Sequence, residues 1–153
     1  MIDYQKLLTF LEEYTLHYRE VLTFETFKLE LIVSDDIEGL NNSLSKEQAL
    51  IMKTNSLENK RLELIGRENE KKTLKEIIAD APFEFQPRLQ SKYEDLSKII
   101  FQIKKINDNA QEIVSTRLSV LENIKNGTPS NTYTKKGGKK NFSESTSTLN
   151  KDI

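Results

Sequence analysis

Apolar residues recur at spacings of three and four over most of this chain, and this spacing constrains the fold more than any other feature. Such spacing places apolar side chains on one face of an α-helix. Trp is absent, Pro occurs three times and Gly five times, so the turn residues that an all-β fold needs are scarce. Over residues 2–33 the pattern is unbroken, and it comprises Tyr4, Leu7, Leu8, Leu11, Tyr14, Tyr18, Val21, Leu22, Leu29 and Ile32.

Two more helices are predicted after the first, and together they indicate an all-α protein. The second spans about residues 45–79, where Leu residues repeat every seven positions and Gly66 predicts a local weakness. The third spans about residues 88–126, where one broad apolar stripe runs from Leu89 to Ile124. We therefore expect three long helices in an antiparallel bundle or coiled coil over residues 1–127.

A polar stretch separates the first two predicted helices. Ser34 and Asp35 provide a helix-start signal. Gly39 and the Asn pair at residues 41–42 then disfavour helix, and the segment beginning at Ser45 reads as a capping box. This order predicts a short helical turn, then a bend, then the start of the second helix at Ser45.

Residues 128–153 have a different composition from the rest of the chain. They are rich in Ser, Thr, Asn, Lys and Gly, and their five lysines against two acidic residues leave a charge of +3. The chain as a whole carries −1, so residues 1–127 carry −4. Such a segment buries too little apolar surface to offset the entropy of ordering it. We expect a disordered basic tail.

The residue types needed for catalysis are scarce. The chain has no Cys and one histidine, His17, which we expect to be a surface or boundary residue because a catalytic or metal site needs partners that are missing. The KKGGKK run at residues 135–140 lacks the spacing of a phosphate-binding loop. We expect no enzyme, no cofactor and no metal.

The start of the chain lacks the basic and apolar regions of a signal peptide. No apolar run approaches the ~20 residues that a membrane span needs. Together with the absence of Cys, these features favour a cytoplasmic protein. We expect no membrane insertion, and the acidic body with a short basic tail indicates docking and no nucleic-acid partner.

The apolar stripe of the third helix continues beyond the part that the first and second predicted helices can cover. An unpaired stripe on a helix is a candidate groove or helix interface. A partner helix, a second copy of the chain and an internal core could each cover it. Its members are Ile113, Val114, Val120, Leu121 and Ile124.

Four short segments, taken in order, resemble the FlgN-type flagellar export chaperones. They are VSDDIEGL at residues 33–40, EQAL at 47–50, LENKR at 57–61 and YTKKG at 133–137. No single segment is specific, so their order and spacing carry the resemblance, which covers essentially the whole chain.

The resemblance implies a bacterial cytoplasmic chaperone for the hook–filament junction proteins FlgK and FlgL. It would cover their amphipathic termini, prevent premature polymerisation and deliver them to the flagellar type III export gate. Tyr133 would dock the tail on the gate. The cargo-binding residues would be Ile113, Val114, Leu118, Leu121 and Ile124.

Two other functions stay open from the residues alone. The first is a structural coiled-coil adaptor that forms a homodimer through the stripe of the third helix. The second is a binder of nucleic acid or of a membrane surface, acting through the lysine-rich tail, whose affinity would collapse with added salt.

Overall fold

The computed structural model describes residues 1–127, which form helices joined by short connections. In chain order these are α1 (Tyr4–Val33), α2 (Ile37–Ile65), a 3₁₀ turn (Arg67–Asn69), α3 (Leu74–Ala79) and α4 (Gln86–Asn126). The described residues contain no strand, and three of the helices are long. The predicted all-α fold with three long helices is confirmed. The predicted tail at residues 128–153 lies outside the described residues.

Helix α1 is the central element, because both other long helices pack on it and make few contacts with each other in the described chain. It begins where the side chain of Asp3 accepts a hydrogen bond from the backbone N–H of Lys6 at 3.1 Å. Its buried surface is broad enough to serve two neighbours, and its buried apolar residues are Leu7, Leu8, Phe10, Leu11, Tyr14, Tyr18, Val21, Phe24 and Ile32.

Helix α2 runs antiparallel to α1, as the ion pairs between the two helices show. Lys60, near the end of α2, lies 2.5 Å from Glu13, near the start of α1. At the other end of the pair, Glu47 lies 2.5 Å from Lys28. The two helices therefore form a hairpin.

Helix α4 runs parallel to α1, so the three long helices go up, down and up. At the end of the bundle where α1 and α4 begin, which we call the lower end, the ring centroids of Tyr4 and Phe85 lie 6.0 Å apart. Higher up, Lys92 lies 3.7 Å from Glu12. The contact between α1 and α4 is mainly apolar, and α4 buries Leu89, Leu96, Ile99 and Ile103 in it.

The predicted bend before Ser45 is wrong, because α2 begins at Ile37 and continues without interruption. Asp36 caps it by accepting a hydrogen bond from the backbone N–H of Gly39 at 2.8 Å. A Cβ on Gly39 would lie 2.5 Å from a carboxylate oxygen of Asp36 and 2.7 Å from a methyl carbon of Leu31. Gly39 therefore leaves room for the capping carboxylate and for α1, and it does not break the helix.

The second helix also ends earlier than predicted, at Ile65 instead of residue 79. Gly66 has φ 79° and ψ 157°, a backbone conformation that is essentially restricted to glycine. The side chain of Asn69 then donates a hydrogen bond to the carbonyl of Ile65 at 2.9 Å. The weakness predicted at Gly66 is a complete break.

The chain resumes as α3, which is short but well anchored. Thr73 and Glu76 form a reciprocal capping box at its start. Three of its six residues are buried and pack into the main core, namely Leu74, Ile77 and Ile78. Helix α3 thus closes the lower end of the bundle before Pro87, in the first turn of α4, starts the last helix.

His17 is buried, with 1% of its surface exposed, so the predicted surface or boundary position is wrong. Its Nε2 lies 2.7 Å from the Thr54 hydroxyl. That hydroxyl donates its proton to the carbonyl of Leu50, so Nε2 must carry the proton and donate. Nδ1 has no hydrogen-bond partner within the described residues. Burial, together with the nearby charge of Lys53, lowers the pKa of His17 below its usual 6.5.

This environment predicts a loss of stability in mild acid. Unfolded His17 takes up a proton as the pH falls below about 6.5, whereas the folded protein resists protonation. The free energy of unfolding should therefore decrease on acidification, by at most about 1.4 kcal/mol per pH unit from this group. The measurement is urea unfolding between pH 8 and 5, compared with His17→Gln, which lacks the titrating ring. Parallel pH profiles for the two proteins would contradict the assignment.

Candidate partner-binding site

Helix α4 extends past the end of the hairpin formed by α1 and α2, and Arg117 marks the point where it does so. The last carbonyl groups of a helix have no partner within that helix. The Arg117 guanidinium donates to the carbonyl of Val33 at 2.9 Å and also to that of Ile32. It lies 3.6 Å from the carboxylate of Asp35. Arg117 thus caps α1 from the side of α4.

Beyond Arg117, every residue of α4 is exposed. We call residues 118–126 the overhang. At 1.5 Å per residue the overhang is about 13 Å long, or two and a half turns. Its length follows from the helix lengths, because α4 has 41 residues and the parallel α1 has 30.

The face that α4 buries against α1 is the same face that the overhang exposes. Apolar residues on this face alternate in steps of four and three, which is the spacing of a coiled-coil seam. In the body of the protein the seam is Leu89, Tyr93, Leu96, Ile100 and Ile103. The same spacing continues through Asn107, Ala110, Val114, Arg117, Leu121 and Ile124.

The structure places the predicted cargo-binding residues in order of increasing exposure. Ile113 and Val114 precede the overhang and are half-buried. Leu118, Leu121 and Ile124 lie on it and are 41%, 61% and 72% exposed. The predicted stripe therefore consists of a half-buried base and an open end.

Helical geometry divides these residues into two adjacent rows. With 3.6 residues per turn, Val114, Leu118 and Leu121 fall within an arc of about 60°. Ile113 and Ile124 lie beside this row, within about 20° of each other. The two rows together form one apolar face wide enough for a helix to pack against.

The sequence interpretation missed two apolar residues at the base of the overhang. Val33 and Ile37 flank the turn between α1 and α2, and both are exposed. Val33 lies beside α4, because its carbonyl accepts the hydrogen bond from Arg117. A charged residue, Arg117, in a mainly apolar seam was the available signal, since it indicates that the seam meets a polar group at that level.

The turn at the base of the overhang is acidic. It contains Asp35, whose φ is 58°, and it is flanked by Glu30, Asp36 and Glu38. The last turn of α1 has no basic residue. The far end of the overhang carries Lys125, with the exposed Glu122 one turn before it, so the excess of negative charge lies at the base.

Two further findings concern the rest of the described chain. None of the helices within residues 1–127 has a stretch long and apolar enough to cross a membrane. Over the same residues, no three His, Asp or Glu side chains are grouped so that they could hold a metal ion. Tyr133, the predicted gate-docking residue, lies outside the described residues.

Comparison with known families gives one match. The family model described as FlgN protein matches residues 1–141, which include every described residue. No curated protein and no solved structure shows significant similarity to the chain.

The role of Arg117 generates a prediction about the order of the helix end. Arg117→Gln removes the guanidinium that joins α4 to the end of α1, so the last turns of α4 should fray. We expect faster amide hydrogen exchange over residues 113–126, and a loss of about 1–2 kcal/mol of stability because hydrogen bonds to a charged group are lost. Arg19→Gln, an exposed position on α1, is the control. Unchanged exchange in the Arg117 variant would show that the cap does not hold α4.

Proposed function

Because the chain belongs to the FlgN family of flagellar export chaperones, we propose that it binds the amphipathic termini of the hook–filament junction proteins FlgK and FlgL. Covering the apolar face of these termini would keep them from polymerising in the bacterial cytoplasm. The chaperone would then deliver them to the type III export gate. A cytoplasmic site of action is part of this proposal, because the cargo must be covered before export.

The observation that supports cargo binding at the overhang is the continuation of the seam past the end of α1. Inside the body, α1 covers the seam at Leu96 and Ile103. At Leu121 and Ile124 the same face has no neighbour within the described residues and is exposed. An amphipathic helix is the kind of ligand that covers such a face, through apolar anchors at three- and four-residue spacing.

The affinity for cargo should depend on Leu121. Leu121→Asp places a charge at the centre of the open face, and we expect cargo affinity to fall by about 30-fold or more, as for a central interface residue. The measurement is calorimetric titration with FlgK and FlgL from the same bacterium. Circular dichroism should show unchanged helix content, because Leu121 is already 61% exposed.

Leu16→Asp is the matched control for this experiment. Leu16 also lies on a long helix and is 66% exposed, but it is on α1, away from the overhang. It should bind cargo with normal affinity. Equal losses in both variants, or unfolding of the Leu121 variant alone, would contradict cargo binding at the overhang. A dimer of the unliganded wild type that Leu121→Asp dissociates would favour the adaptor function instead.

Docking to the export gate is proposed to depend on Tyr133, which lies within the residues matched by the family model. An aromatic ring with a polar hydroxyl is suited to anchoring a polar segment on a protein surface. Tyr133→Ala should retain cargo affinity and lose binding to the gate in a pull-down. Phe142→Ala removes the next aromatic residue, one position beyond the matched span, and should bind the gate normally. Normal gate binding by the Tyr133 variant would refute this role.

A further inference from the structure

The geometry of the overhang indicates the shape and the direction of a partner segment that would bind it. The seam of α4 is continuous in its spacing from Leu89 to Ile124, but α1 covers only the part below Arg117. The two parts of the seam therefore present the same pattern of side chains to a neighbour. A helix with apolar residues at three- and four-residue spacing would cover the upper part as α1 covers the lower part.

Helix α1 shows which geometry fits this seam. It is an amphipathic helix, it runs parallel to α4, and it presents apolar residues at three- and four-residue spacing. We call the strip of α4 that α1 covers the track of α1. It ends at Arg117, which donates to the last carbonyl groups of α1. The overhang continues this strip for about 13 Å, which is room for roughly nine residues of a second helix.

Charge at the two ends of the overhang favours one direction for that helix. The lower end is bounded by Glu30, Asp35, Asp36 and Glu38, with Arg117 among them. The upper end carries Lys125 and Glu122, whose opposite charges balance. The amino end of a helix carries a partial positive charge and the carboxyl end a partial negative charge. The amino end of a bound helix is therefore favoured next to the acidic turn.

The helix dipoles of the protein itself do not oppose this direction at the turn. The carboxyl end of α1 and the amino end of α2 meet there, and their partial charges have opposite sign and nearly cancel. The acidic side chains then determine the local potential. At the upper end, Lys125 offsets the partial negative charge at the carboxyl end of α4.

We propose that the partner segment binds as a short helix that continues the track of α1 along the overhang, parallel to α4, with a basic amino end next to Asp35 and Glu38. This inference rests on the proposed function, because it specifies how cargo occupies the same face. The apolar residues of the bound helix follow three- and four-residue spacing over about two turns and contact Leu118, Leu121 and Ile124. Val33 and Ile37 contact its first turn.

Cysteine cross-linking tests the direction, and the chain suits the method because it contains no Cys. Single cysteines are introduced at the lower and upper ends of the overhang, as Leu118→Cys and Ile124→Cys. Ser119→Cys, on the opposite side of α4, is the control. The partner is full-length FlgK with one cysteine at either the first or the last apolar position of its terminal amphipathic segment. A disulfide forms only where the two Cβ atoms come within about 4.5 Å.

In the parallel arrangement, the first position cross-links to residue 118 and the last position to residue 124. The opposite pairing would overturn the proposed direction. Cross-linking at residue 119 as fast as at the other two positions would overturn the proposed track. If the unmodified wild type shows no affinity for FlgK or FlgL, the proposed function fails along with this inference. If the wild type binds FlgK or FlgL and the cross-links show either of these two patterns, this inference fails and the proposed function stands.

A charge-neutralising variant tests the acidic turn separately. Asp35→Asn with Glu38→Gln removes two charges, and Asn tolerates the positive φ at residue 35. Asp36 is left unchanged because it caps α2. We expect cargo affinity to fall by up to about fivefold at low ionic strength, with a smaller loss in added salt. The control, Glu70→Gln with Glu84→Gln, removes two exposed charges on α2–α4 connections, away from the turn. An equal or higher affinity in the Asp35 variant would overturn the basic amino end.

Discussion

The fold depends on the double-sided apolar surface of α1. Because α2 and α4 both pack on α1 and make few contacts with each other in the described chain, the extent of α1 determines how much of each neighbour is covered. Helix α1 ends at Val33, while α4 begins level with the start of α1 and is longer. The open end of α4 is therefore a direct consequence of unequal helix lengths, and no separate structural element is needed to expose its apolar face.

The two contacts that α1 makes differ in chemistry, and the difference explains the position of Arg117. Against α2, α1 uses polar pairs that are specific in position. One of them is the hydrogen bond that the Tyr14 hydroxyl donates to the Glu58 carboxylate, which also accepts hydrogen bonds from the Arg61 guanidinium. Against α4, it uses a repeating apolar seam. A repeating seam fits nearly as well after a shift of seven residues, so it fixes register weakly. Arg117, by binding the end of α1, supplies the fixed point that the seam lacks.

The sequence predicted the bounds of α1 and α4 well and those of α2 poorly, for a physical reason. A stripe of apolar residues is a local pattern, so α1 and α4 were found with nearly correct bounds. The effect of a glycine depends on backbone angles and neighbours that only the fold specifies. Gly39 looked like a helix breaker but lies inside α2 next to Leu31, whereas Gly66 looked like a weak point and ends the helix. The burial of His17 was missed for the same reason, since Thr54 is 37 residues away.

The size of the overhang bears on how a chaperone releases its cargo. Half the surface of a helix about 11 Å wide and 13 Å long is roughly 200 Å². Stable complexes bury about 800 Å² on each partner, so a complex made by the overhang alone should be short-lived. The same limit argues against a stable homodimer through this face. In the proposed complex, a contact of this size would cover the apolar side of a terminus and still allow the terminus to leave. Val33, Ile37, Ile113 and Val114 would add to this area, and the family match continues beyond the helix, to residue 141.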